Sequence, residues 1–207
     1  MDEIAFQLKV REKIAGWYAS ADEEDRAVAR MVRVREEIIR LLRSTCREGI
    51  DEVLRYLDES GFYWRASSPS GHHNWPGGLA GHSLGTCRLA LKRSGDSLPR
   101  ESVIIAAVLH DICKGDRFWF RGRTILQHQQ KDRRHSARSI AILRDCGLTL
   151  TESERLAILW HMQGAWQHLP QPEREKDHSK AVRDPLWRVV FWADKADAAA
   201  HHKPPTA

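Results

Sequence analysis

Val103-Ile104-Ile105-Ala106-Ala107-Val108-Leu109-His110-Asp111 is the stretch on which the fold turns. An unbroken apolar run of this length is built for burial. Pro99 opens it at a position where a missing N–H does no harm, so the spacing predicts a helix running into His110-Asp111. Two ionisable groups at the tip of such a helix are expensive unless something satisfies them. A divalent metal ion is the simplest answer, because borderline cations accept neutral imidazole and carboxylate as ligands. Neighbouring side chains diverge by about 100° on a helix. His110 and Asp111 therefore converge on one ion only near a helix end, or with the ion beside the axis between them.

Working outward, His82 lies upstream in Gly77-Gly78-Leu79-Ala80-Gly81-His82-Ser83, and Asp194 lies downstream in Trp192-Ala193-Asp194-Lys195-Ala196-Asp197. His135 and His161 fall between them, near a helix start and at a helix end. Asp111 is the candidate to bridge two ions, since a carboxylate offers two oxygens and an imidazole only one lone pair. Lys114 follows Asp111 by three and shares its helix face. Its ammonium could meet a substrate phosphate, neutralise the carboxylate, or simply be solvated.

These motifs, with Leu109-His110-Asp111-Ile112-Cys113-Lys114 at their centre, resemble the HD-domain metal-dependent phosphohydrolase superfamily over residues 60–200. The resemblance implies an all-α HD-domain helical bundle. It implies metal ligands His82, His110, Asp111 and Asp194 for a first ion, with His135 and His161 supplying a second. The implied cofactor is a divalent transition metal, two ions of Mn, Fe, Co or Ni in preference to Mg. Asp111 and Lys114 are the implied catalytic residues, with a metal-bridging hydroxide attacking phosphorus. The substrate class implied is a nucleotide or other small phosphoester, by phosphomonoesterase or phosphodiesterase chemistry. Two rivals stand beside it: a mixed-valent di-iron oxygenase on the same six ligands, and a non-enzymatic nucleotide-binding module. Retention of all six ligand positions argues against the second.

At 207 residues the chain fits one domain, or a core with a helical extension. We expect residues 1–60 to form an N-terminal helical extension packed on the core, 61–200 the HD phosphohydrolase domain, and 201–207 a tail. A composition 42% hydrophobic and 29% charged fits an ordinary globular protein. No apolar stretch approaches a membrane span, and Met1-Asp2-Glu3-Ile4 carries no secretory pattern, so a cytoplasmic location is expected. Cys46, Cys87, Cys113 and Cys146 form no Cys-x-x-Cys pair and read as reduced thiols. The net charge of +5 suits an anionic substrate. The basic residues are dispersed, which disfavours extended nucleic acid as a partner.

Helical periodicity runs from Asp22 through Leu42 and again from Ile50 to Leu57, with Gly61 as terminator. Residues 67–78 read as a loop, and Phe118 to Leu126 as a short β-hairpin. A helix should span about Arg134 to Cys146. Thr151-Glu152-Ser153-Glu154 is a capping box, and Asp184-Pro185 opens the last helix. Between them, Gln163 to Asp184 reads as a long polar loop. His72, His73, Arg133 and Arg134 could line the pocket mouth, although each reads first as a surface or loop residue. His128, His168, His178, His201 and His202 have no spacing that recommends them. Cys113 reads as core, as do most of the eight tryptophans, with one or two left to wall a base-stacking pocket.

Overall fold

Every residue from Ser102 to Leu109 is buried in α5 (Arg100–Leu109). A helix apolar on all sides is stable only when other elements enclose it. In this computed structural model, which describes residues 1–127, 135–162 and 171–201 (backbone only at 172 and 173), α5 is surrounded on four sides. Its neighbours are α2 (Ala21–Arg43), α4 (Gly78–Ser94), α7 (Glu152–Trp160) and α9 (Pro185–Ala200). The C-terminal end of α5, where His110 and Asp111 stand, is thus held among helices rather than presented to water.

The other elements are α1 (Glu3–Ile14), α3 (Ile50–Ser60), α6 (His135–Asp145), α8 (Gln171–Ala181) and the strands β1 (Phe118–Arg121) and β2 (Thr124–Gln127). The protein is an all-α bundle with one antiparallel hairpin, as the pattern predicts. In α1, Asp2 accepts from Ala5 N at 2.8 Å as N-cap, and Phe6, Val10 and Ile14 fall four apart on one buried face. That face meets α2 and β1. Arg35 joins α2 to α3: its guanidinium donates to Asp58 at 2.8 and 2.7 Å and lies 4.9 Å over the Phe6 ring. The apolar core is continuous from Phe6 to Ala193.

The capping box on α7 forms, with Thr151 and Glu154 exchanging hydrogen bonds. Asp184 caps α9 by accepting from Leu186 N and Trp187 N. One expectation fails. Residues 171–181, read as part of a polar loop, are α8. This helix has no apolar stripe to betray it. It is held by a buried-side anchor instead: Asp177 accepts from Arg155 Nη2 at 2.7 Å and from Trp160 Nε1 at 2.8 Å. The rest of that loop, Gln163 to Pro170, lies outside the described residues. Among the described residues no helix is long and apolar enough to cross a membrane.

Candidate metal centre

The helical hydrogen bonding of α5 ends at Leu109. His110 is its C-cap, and Asp111 heads a single 3-10 turn, Ile112–Lys114. That change of path lets two neighbours converge: His110 Nε2 and Asp111 Oδ2 are 3.4 Å apart. Ser139, on α6, donates its hydroxyl to His110 O at 2.9 Å and pins the turn. Four other helices deliver one residue each to this end of α5. From α4 comes His82, whose Nε2 is 3.1 Å from Asp194 Oδ1 on α9; the same oxygen is 3.9 Å from His110 Nε2. From the end of α7 comes His161, and from the start of α6 His135. Their Nε2 atoms are 3.5 and 3.8 Å from Asp111 Oδ1. All six sequence-predicted residues are buried and brought together.

Two groups overlap at His110, and Asp111 belongs to the second. His82, His110 and Asp194 present ligand atoms within 4.8 Å of one another, and so do His110, Asp111 and His161. The carboxylate divides its oxygens accordingly, Oδ2 toward His110 and Oδ1 toward His161 and His135. Three imidazoles have their outer nitrogen engaged. Nδ1 of His110 donates to Ala107 O at 2.9 Å, Nδ1 of His161 to Ile158 O at 2.7 Å, and Nδ1 of His82 to Asp197 Oδ2 at 2.7 Å. A proton held on Nδ1 leaves Nε2 with its lone pair, aimed inward.

Those inward atoms have no hydrogen-bond partner. Nε2 of His82, His110, His135 and His161 and Oδ1 of Asp111 are all buried and unsatisfied among the described residues. The His82–Asp194 approach, though short, lacks hydrogen-bond alignment. An unsatisfied buried polar group costs about 1–3 kcal/mol. Five together would rival the about 5–15 kcal/mol that holds a domain folded. Nitrogen and carboxylate donors in this arrangement fit a divalent metal ion, which would satisfy them at once.

The HD domain family matches residues 79–199, more than half of the chain. The chain belongs to the HD domain family. HD domains are typical of metal-dependent phosphohydrolases. No curated protein and no solved structure matches this chain. Among the described residues the match takes in α5 to α8 completely and nearly all of α4 and α9, and every residue of the cluster lies within it.

Electrostatics in this HD site follow from burial and from one lysine. Lys114 is buried, with Nζ 2.7 Å from Asp111 Oδ2, so the solvated-lysine reading is set aside. Burial alone would raise the Asp111 carboxyl, but the Lys114 ammonium and His110 override it and hold it well below its ordinary value. Burial pushes His110 down and His135 down to about 3, which keeps both neutral. Burial also opposes charge on His82, yet Asp194 and Asp197 lift it to about 9, so an ion bound at its Nε2 would take the place of a second ring proton, the Nδ1 proton staying with Asp197. Asp194 is held low against its burial, chiefly by His82.

Asp197 lies outside the six-residue pattern, and its one sequence signal is that it follows Asp194 by three and shares its face of α9. His73, read as a loop residue, is buried and donates Nε2–H to Asp197 Oδ2 at 2.8 Å. His72 is half-buried, its ring 4.7 Å from that of His82, and burial lowers it to about 3. His201, which no spacing recommended, donates Nδ1–H to Asp197 O at 2.9 Å. His178 rests on Trp160 instead, 4.9 Å between rings. Cys113 is core, its thiol pushed up to about 12 by burial. Trp64, Trp75, Trp160 and Trp187 are buried; Trp192 is exposed, with Arg93 4.4 Å over its ring. His128, Arg133, Arg134, His168 and His202 lie outside the described residues.

Proposed function

We propose that this HD domain is a metal-dependent phosphohydrolase acting on a nucleotide or another small phosphoester. The observation that carries the reading is the set of five buried, unsatisfied imidazole and carboxylate atoms converging at the end of α5. His82, His110, Asp111 and Asp194 would hold one divalent ion; Asp111, His135 and His161 would hold a second. Imidazole-rich donation favours Mn, Fe, Co or Ni over Mg. Bound there, such ions supply hydroxide at neutral pH and neutralise charge on phosphoryl oxygens.

The chain's own residues do the rest. The outer hydrogen bonds of His82, His110 and His161 fix ring orientation. Asp111 offers one oxygen to each group, while Lys114 balances its charge and stands ready to meet a substrate phosphate. The net charge of +5 favours an anionic substrate. Four free cysteines suit a reducing cytoplasm. Residues 1–60 are read as a helical extension of this domain.

The test is a panel of nucleotides and phosphodiesters assayed with Mn, Co, Ni, Fe and Mg, with and without oxygen. Oxygen-independent release of phosphate or phosphomonoester is expected. Turnover that requires oxygen, or none on any phosphoester, would overturn the proposal.

A further inference from the structure

We infer that Asp197 and His73 form a positioning pair for His82, determining which of its ring nitrogens is offered to a metal ion; this rests on the metal-centre reading above. The three residues are 2%, 4% and 0% exposed, and one oxygen, Asp197 Oδ2, accepts from both rings, at 2.7 Å from His82 Nδ1 and 2.8 Å from His73 Nε2. His82 differs here from its fellows. His110 and His161 lean on backbone carbonyls, whereas His82 leans on a carboxylate, which holds the Nδ1 proton and makes Nε2 a stronger donor.

The fold makes room for this pair. Gly78, His82 and Gly85 stand at i, i+4 and i+7 on one face of α4. A Cβ on Gly85 would come within 2.0 Å of Asp197 Oδ1, and one on Gly78 within 2.0 Å of His73 O. Two glycines on either side of the histidine therefore admit Asp197 and the His73 backbone to α4. His73 itself has φ +50°, an uncommon conformation for a residue with a Cβ. It is fixed by Ser67 N donating to His73 O and His73 N donating to His201 O, both at 3.0 Å. A backbone held there persists only where its surroundings over-determine it. His73 also precedes the HD match, which begins at residue 79, so this support is drawn from outside the matched segment.

The experiment is titration of metal-free chain with Mn(II), wild type against Asp197→Asn and His73→Leu, followed calorimetrically. Asp197→Asn keeps the size of the side chain and removes its charge. We expect one of two sites to weaken by about 10–100-fold and the other to stay unchanged, as for loss of a partner behind a ligand. His73→Leu should weaken the same site by less. A readout independent of variant folding is the Zn(II)-loaded wild type, in which long-range 1H–15N correlations should show the His82 proton on Nδ1. A metal-bound Nδ1 overturns the inference, as does wild-type affinity in Asp197→Asn; wild-type affinity in His73→Leu overturns the pairing. A wild-type chain that takes up no ion removes the metal-centre reading along with it.

Discussion

Glu154 and Asp111 are carboxylates of nearly equal burial, 0% and 2% exposed, and each sits at one end of a helix. Around Glu154 every lone pair is spoken for. Oε1 accepts from Arg47 Nη1 at 2.9 Å and Ser102 Oγ at 2.7 Å; Oε2 accepts from Thr151 N at 2.8 Å and lies 3.4 Å from Arg47 Nη2. Around Asp111 only one oxygen is served. Oδ2 meets Lys114, while Oδ1 faces the Nε2 atoms of His161 and His135 without a hydrogen bond. The first arrangement is complete as it stands and ties α7 to α5 and to the loop before α3. The second is complete only with something added. A saturated buried charge marks structure, and an unsaturated cluster marks a site.

Breaking the two carboxylates should therefore give opposite failures. Asp111→Ala should reduce phosphoester turnover to background and abolish binding of both ions, while far-ultraviolet circular dichroism stays native. Glu154→Ala should keep its ion content per folded chain but lose about 3 kcal/mol, the lower end for a broken buried pair because Arg47 reaches water. In a domain of this size that is a fall in Tm of about 6–12 °C. Full ion content and normal turnover in Asp111→Ala would place the centre elsewhere.

The contrast sharpens inside the cluster. His135→Ala and His161→Ala should each lose one ion while the set His82, His110, Asp111 and Asp194 keeps the other. Turnover should drop steeply, because a lone ion cannot also clamp the opposite oxygen. Retention of two ions by either variant, measured by elemental analysis, would remove that histidine from the ligand set.

Adding metal should complete Asp111 and leave Glu154 untouched. At a hundredfold excess over Kd, binding contributes about 2.7 kcal/mol, or about 5–10 °C in Tm. Asp111→Ala should gain nothing, and Glu154→Ala should gain as wild type does. Equal gains in all three would mean that the ion binds elsewhere.

The smallest effect is expected at Lys114. Lys114→Ala should leave the ion count intact and lower kcat/KM by about tenfold, worth about 1.4 kcal/mol of transition-state stabilisation. Unchanged kcat/KM would leave the lysine as a counter-ion to Asp111 and nothing more.

What the sequence made legible follows from what is local. The apolar run of α5, the capping residues of α7 and α9, and the hairpin of β1 and β2 each announce themselves within a few residues. The six-residue cluster was legible through its order along the chain and its likeness to a family. Two other features were not, because tertiary contacts alone decide them. α8 carries no apolar stripe, and Asp177 stabilises it through Arg155 and Trp160, which lie in α7. His73 stands in a loop rich in Ser, Pro and Gly that reads as solvated. Its burial depends on Gly78, five residues on, and on Asp197, far along the chain. The sequence leaves Lys114 open among phosphate contact, neutralisation and solvation, and only packing places it against Asp111.

The most direct measurement is ion content by elemental analysis, paired with a crystal soaked in manganese. The account predicts two ions at the end of α5, one touching His82, His110, Asp111 and Asp194, the other Asp111, His135 and His161. Far less than one ion per chain after reconstitution, with no manganese density among these side chains, would contradict it.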